Sequence, residues 1–427
     1  MSSIYYNSLS GMQAASSGLD NVSNNMANMK TNGYKKRTQF FSELTKEHPD
    51  YLGQQTSQGV KSLGNSVNYQ QGQIQKTGNK LDVALDGNGF FVLKKDGKTF
   101  YTRDGEFDFD HNGILVDKIN GAHVQALDKN GALKDISITD EREIPGKPSS
   151  QIELSGKLAL QEDKSTTPPT PGGDTSDKKY LPISQNITIY DQNGQEHQLT
   201  ILLTPKKSDV PTPGVTTPHN WQISIKDEHG KTLQITSQDE IQFDLMGQPQ
   251  LGFNKIGFTY VSDNGQKQAI TLNFGEPNSS KGVTQIDNSL TPGNNDSKLE
   301  KTKDDGFGVG KLMDCQFDSN GQLVYQYSNG QTRKSDLIAL ANFSDLSTLN
   351  EISGNLFVST DHAKPELSQA GVNGFGQIKT NSVELSNVDP STEFADIIVY
   401  QRMFQACSEV MQVEKQMLEN LYKNGGM

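Results

Sequence analysis

A chain of 427 residues has room for about three domains, but only 32% of it is hydrophobic and 40 residues are glycine, so its cores must be small and several. The net charge of −12 argues against nucleic acid or an anionic membrane surface as a partner. Two cysteines, Cys315 and Cys407, without CxxC spacing suggest neither a disulfide framework nor a zinc site; no stretch reads as a membrane span, and Met1 to Gly11 lacks the regions of a cleaved signal peptide.

In chain order, the first predicted element is a helix over residues 1–30. Tyr5, Met12, Leu19 and Met26 recur every seven residues, with Ser8, Ala15, Val22 and Met29 three positions further on, which makes a seam of small side chains. The basic triplet Lys35-Lys36-Arg37 reads as a solvated turn within a connecting stretch, 31–75. The interior then repeats one turn chemistry: Asp86 to Gly89, Asp110 to Gly113, Asp128 to Gly131, Asp191 to Gly194, Asp227 to Gly230, Ser262 to Gly265 and Asp318 to Gly321. Asn-Gly supplies positive φ angles and the leading Asp or Ser bonds the turn backbone, so antiparallel hairpins are expected. Flanking runs such as Phe90 to Leu93, Gln198 to Leu202 and Leu323 to Tyr327 have strand composition. Ser165 to Asp177 and Ser208 to Pro218 read as exposed loops, and Ser279 to Asp305 as a polar connector.

The last element is a helix with Asp389 as N-cap, Pro390 at its first position, Glu393 in its first turn and Gly425-Gly426 after its end, about 50 Å long at 1.5 Å per residue. Val399, Met403, Ala406, Val410, Val413 and Met417 form one apolar stripe; Ile397, Tyr400, Phe404, Cys407, Met411, Leu418 and Leu421 form a second beside it. Together they cover an arc of roughly 200°, which one partner helix cannot bury. A two-helix hairpin on the β body is the simpler reading. Ordering costs of about 1 to 2 kcal/mol per residue leave such a lone pair marginal, with Gly11 and Gly18 each weakening the first helix by about 1 more, so packing among many copies is expected.

Chemistry is sparse. Asp108, Asp110, Asn112 and Gly113 match the first half of a calcium loop, but the position of the bidentate Glu is Ile119, so a plain hairpin turn is expected. The seven histidines are scattered, and no nucleophile, phosphate-loop or metal spacing occurs. The expectation is no enzyme, no metal and no cofactor.

The residues themselves resemble a known family. The run from Asn24 to Lys35, with Asn25, Ala27, Asn28, Thr31, Gly33 and Tyr34, looks like the amino-terminal signature of bacterial flagellar axial proteins of the rod and hook. Leu81 to Leu93, with Asp86, Gly87, Gly89, Phe90 and Phe91, is similar to their internal motif, and Tyr101 to Gly105 follows it. Ser386, Asn387, Val388 and Asp389, then Gln401 and Arg402 leading to Ala406, resemble their carboxyl-terminal signature. Cys407 stands where an Asn is usual, and Met29-Lys30 replaces a more polar pair.

The resemblance implies a mainly β fold with terminal α-helices and nested domains. These are a helical assembly domain (1–30 and 390–427), a connecting segment (31–75 and 378–389), an inner β-domain (76–152 and 278–377) and an outer β-domain inserted into it (153–277). Chain length favours a hook-type over a rod-type subunit: a homopolymer forming a curved hollow tube, a universal joint that carries motor torque to the filament. Implied partners are further copies of itself, the distal rod, hook cap and hook-filament junction proteins and the flagellar export apparatus, with export lacking a cleaved signal and no membrane insertion. The rivals are a distal rod or junction protein, and a secreted carbohydrate-binding β-protein, for which a single tryptophan, Trp221, is thin support.

Overall fold

The structure is a computed structural model and describes residues 3–47, 55–128, 130–160, 180–206, 220–262, 264–286, 297–352, 355–360 and 364–424. The expected loops at 165–177 and 208–218, and Gly425-Gly426, lie outside the described residues. Two helices at the ends, α1 (Ser3–Ala27) and α2 (Pro390–Asn424), flank a chain otherwise built of strands. The fold class is mainly β with terminal helices.

The chain divides into two units. The first comprises Met1–Arg142, Met313–Gln326 and Thr332–Met427. Its sheet runs in the order Gln322–Tyr327, Thr332–Ile338, His123–Leu127, Phe90–Lys95, Lys98–Thr102, Leu356–Ser359, Leu349–Ile352, so strands from both halves of the sequence interleave. Phe90, Val92, Tyr101, Ala339, Ala341, Phe343 and Phe357 make its buried core, with Tyr69 packed on it. Phe90 meets Phe357 and Tyr69 at ring separations of 5.6 and 6.0 Å, and the Arg103 guanidinium lies 5.1 Å over its face. The connecting stretch is more structured than its label suggests: Arg37–Glu47 and Gln55–Val67 form a long antiparallel ribbon.

The second unit comprises Glu143–Leu312 and Tyr327–Gln331. One sheet orders Gln234–Ile235, Lys255–Val261, Lys267–Asn273, Gln151–Ala159 and Val283–Ile286, and a second orders Ile183–Tyr190, Glu196–Lys206, Asn220–Lys226 and Glu240–Gln242. Period-two burial, as in Trp221, Ile223 and Ile225, turns one face of each strand into a shared core with Leu199, Ile201, Phe258 and Leu272. The polar connector 279–305 is corrected here: Val283–Ile286 and Lys298–Asp304 are strands paired with Gln151–Ala159, because Val283 and Leu299 supply buried anchors among polar neighbours. The expected domain limits at Glu153 and Pro277 therefore cut through this sheet.

The turns need two corrections. Asp86 to Gly89 is no hairpin: Val83–Asp86 pairs with Gln377–Thr380, while Phe90–Lys95 pairs with Lys98–Thr102, Gly87 and Gly89 redirecting the chain at φ +117° and +121°. Elsewhere the Asn does not take positive φ; only the Gly does. At Asp110, Asp128, Asp191, Asp227 and Asp318 the carboxylate accepts from backbone N–H groups two and four residues on, and the Gly three residues on sits at φ +74° to +82°. Asp244-Leu245-Met246-Gly247 builds the same turn without an Asn. Asp110 thus closes a plain turn, its carboxyl held below the usual range by the Ile114 backbone N–H ahead of other bonds.

Candidate assembly site

The two helices meet antiparallel in a seven-residue register that passes through the glycines of α1. A Cβ on Gly11 would stand 2.7 Å from the Cys407 sulfur, and one on Gly18 would stand 2.5 Å from the Tyr400 ring. One heptad further, Asn25 donates from Nδ2 to Glu393 Oε2 at 3.2 Å. The glycines that weaken α1 as an isolated helix are sockets for bulkier residues of α2. Ala14, Ala15 and Val22 are buried beside them; Tyr5, Met12, Leu19 and Met26 are half-buried. On α2 the covered stripe is Glu393, Ile397, Tyr400, Met403, Cys407, Met411 and Glu414. Burial, with Asp396 and Glu393 nearby, raises the Tyr400 phenol.

The two expected stripes do not divide as drawn: Met403 of the first is covered together with Ile397, Tyr400, Cys407 and Met411 of the second, and the rest of both is left bare. Val399, Phe404, Val413 and Leu418 are exposed, as are Val410 at 46% and Met417 at 61%, and Phe394, Ile398 and Leu421 extend the surface along the helix. Between the helices and the ribbon lies a groove of about 630 Å³ lined by Gly11, Ala14, Phe41, Val60, Tyr400 and Met403 among others. Phe41 meets the Tyr400 ring edge-on at 6.5 Å.

Where the helices end, a buried polar clasp fastens them to the β unit, and here the basic triplet departs from its expected role as a solvated turn. Lys35 is 1% exposed; its Nζ lies 2.6 Å from Glu384 Oε1 and donates to the Gln70 carbonyl at 2.8 Å. Glu384, fully buried, also accepts from Gly72 N–H and faces Arg103 Nη1 at 3.4 Å. Lys36 Nζ pairs with Glu393 at 2.6 Å and Arg37 with Glu351 at 2.9 Å. Burial lowers the Lys35 ammonium and the Arg103 guanidinium, with Glu384 pulling both the other way. Asn25 adds a neutral knot: its Oδ1 accepts from the Tyr34 hydroxyl and Arg37 N–H, and its Nδ2 donates to the Arg37 carbonyl. Burial raises the Tyr34 phenol.

The motif residues divide by role. Gly33, at φ +71°, lies so close to Asp104 that a Cβ would stand 2.6 Å from that residue's nitrogen. Thr31 donates to Asn28, which itself bonds the Asn24 carbonyl, closing the end of α1; Ala27 is exposed. Asn387 accepts from Lys36 N–H and donates to the Asn68 and Gln70 carbonyls. Ser386 accepts from Val388 N–H, Val388 is buried, and Asp389 caps α2 by accepting from Ser391 N–H at 2.8 Å. Phe90 and Phe91 belong to the core, and exposed Asp86 sits 3.4 Å from Lys379. Gln401 and Arg402 are exposed on α2 and take no part in the clasp. Sequence reasoning gave Arg103 only as part of the motif Tyr101 to Gly105 and missed Glu384 and Glu351; the one signal was a Glu set between Val383 and Leu385.

Beside the clasp, Asp82, Asp104 and Asp117 are all buried. Burial first, then Asp117, pushes the Asp104 carboxyl up to about 7. Among the described residues no group of His, Cys, Asp or Glu is arranged to hold a metal ion.

Comparison with known proteins finds similar sequences over nearly the whole chain. Four family models match in order: Flagella basal body rod protein over 6–35, Flagellar hook protein FlgE/F/G D1 domain over 84–158, Flagellar basal body protein FlaE D2 domain over 158–307, and Flagellar basal body rod FlgEFG protein C-terminal over 379–423. The chain is 27% identical over 450 residues to the flagellar hook protein FlgE of Borreliella burgdorferi, covering 98% of each, and 26% identical over 430 residues to that of Salmonella typhimurium, covering 97% of this chain and 98% of the other. A solved structure of Helicobacter pylori flagellar hook protein FlgE2 aligns at a TM-score of 0.43 and 15% identity, covering 73% of this chain and all of that one. The first of these models spans most of α1 and the start of the clasp, the last covers the clasp's final strand and α2, and the relatives run nearly end to end: the chain belongs to the flagellar FlgE/F/G hook and rod protein family.

Proposed function

We propose that this chain is a structural subunit of the bacterial flagellar hook, polymerising into a curved hollow tube that works as a universal joint between motor and filament. The family is structural rather than enzymatic. The observation that carries the reading is the apolar surface left on α2: Ile397, Tyr400, Met403, Cys407 and Met411 are covered, yet Val399, Phe404, Val410, Val413, Met417 and further apolar side chains from Phe394 to Leu421 still meet water. A soluble monomer gains nothing from that face, whereas a lattice of helices buries it. In this reading the helical ends form the inner layer, the clasp joins them to an inner β-domain, and the β unit inserted within it lies outside. The partners that fit are the distal rod, hook cap and junction proteins, met after passage through the flagellar export apparatus.

Val410→Asp tests the reading, with Gln412→Asp on the exposed polar side as its control. Placing a carboxylate in a face buried by neighbours costs several kcal/mol, so Val410→Asp should stay in the supernatant after sedimentation under polymerising conditions while the control pellets. Equal pelleting would remove the stripe as an assembly surface. Straight rather than curved tubes in negative-stain images would move the reading to a rod or junction subunit.

A further inference from the structure

The second unit carries one turn that breaks its own rule. Five of its kind place polar pairs at the two central positions: His111-Asn112, Lys129-Asn130, Gln192-Asn193, Glu228-His229 and Ser319-Asn320. The turn at Asp244 has the same carboxylate-to-backbone bonds and the same left-handed Gly, but presents Leu245 and Met246, 75% and 83% exposed, with Leu251 at 78% a few residues on. With Met313, they are the most exposed large hydrophobic side chains among the described residues.

This loop is held rigidly. Gly247 accepts from Gln285 N–H at 2.9 Å, and a Cβ on Gly247 would meet the Gln285 carbonyl oxygen at 2.1 Å. Pro249 accepts from Asn278 N–H, Gln250 N–H donates to the Gln242 carbonyl, and Gln250 Nε2 donates to the Phe243 carbonyl. Phe243, at the foot of the turn, is buried in the unit's core. Apolar side chains fixed on an ordered loop lose little freedom on contact, which is the property of a binding knob.

We propose that the apolar side chains of this loop, Leu245 and Met246 at the turn and Leu251 beyond its foot, dock on a second copy of this chain within the polymer. The argument for that occupant is area. Three side chains offer a few hundred Å², far below the roughly 1,000 Å² at which a free partner is held specifically. Such a patch binds only what other contacts already hold nearby, at an effective concentration reaching the millimolar range. Neighbouring copies in a tube meet that condition. The proposal rests on the polymer reading above.

The test places a photo-crosslinking residue at position 246 of the full chain and irradiates both dilute monomer and sedimented polymer. The expected result is a ladder at multiples of the chain mass in the polymer and none in the monomer, reduced at least tenfold when Leu245→Gln and Leu251→Gln are added. Trp221 emission, reporting the same unit, should be unchanged in that variant. Tubes that pellet normally without a ladder would overturn the knob while leaving the polymer reading intact. Capture of a different protein in preference to a second copy would overturn the choice of occupant. A parent chain that never pellets would fail the polymer reading, and the knob with it.

Discussion

Lys35→Met and Glu384→Gln probe the clasp from its two sides, and the structure ranks them. Lys35 and Glu384 are 1% and 0% exposed and 2.6 Å apart, and removing one partner of such a pair costs about 3 to 5 kcal/mol. Without Lys35, Glu384 still faces Arg103 at 3.4 Å, so the loss should lie near about 3 kcal/mol. Without the Glu384 charge, two buried cations face each other uncompensated, and the loss should reach about 5 kcal/mol or more. Hydrogen exchange at Gly72 is the local readout, since its N–H donates to Glu384 Oε1 at 2.8 Å. A loss of about 3 kcal/mol speeds exchange by about two decades when reclosing outpaces exchange. Trp221 fluorescence follows the second unit and should not move. Exchange within threefold of the parent in Lys35→Met, or a milder effect in Glu384→Gln than in Lys35→Met, would refute the clasp as a buried electrostatic joint.

Asp104→Asn should stabilise the chain, and only at the alkaline end. The folded carboxyl is pushed up to about 7 from an ordinary value of 3.8, so the folded state holds its proton more tightly and stability is lost as pH rises from about 4 to about 7. The variant should gain up to about 4 kcal/mol above pH 7 and match the parent below pH 4; urea titrations at pH 3.5 and 8 that show no difference at pH 8 would refute it. Gly18→Ala should lower helicity and weaken the helix pair although helix propensity favours Ala by about 1 kcal/mol, because its Cβ would stand 2.5 Å from the Tyr400 ring. Circular dichroism at 222 nm decides, with Tyr400→Ala added as the rescuing change.

The helices, their caps and the strand-and-turn body could be read from residue spacing because those signals are local. The wide apolar arc of α2 was also visible, but its division into two stripes was not the one the structure makes: Met403 of the first stripe is covered with Ile397, Tyr400, Cys407 and Met411 of the second, where Gly11 and Gly18 leave room for Cys407 and Tyr400, while Phe404, Leu418 and Leu421 stay exposed. The triplet Lys35-Lys36-Arg37 looked solvated because its acids are far away in sequence: Glu384, Glu393 and Glu351 lie more than 300 residues on. A polar residue's burial depends on a partner, and a partner at that separation leaves no local mark. The limits of the second unit were missed for a related reason. Gln151–Ala159 completes its sheet with strands from a stretch whose polar composition hides two buried anchors, Val283 and Leu299.

The clasp also sets an order of events in the life of the chain. Its cations are made first and its anions last: Lys35 and Glu384 are separated by 349 positions, and Glu393 follows later still. During synthesis the amino-terminal segment therefore emerges with no acid to close on and no α2 to fill its glycine sockets. Until Glu384 and the residues of α2 have appeared, α1 has neither its counter-charges nor its packing. A subunit truncated before Glu384 lacks the acid that pairs with buried Lys35, so it cannot fasten its two ends together there. Closure of the ends therefore waits on Glu384 and Glu393, whatever else has folded before them.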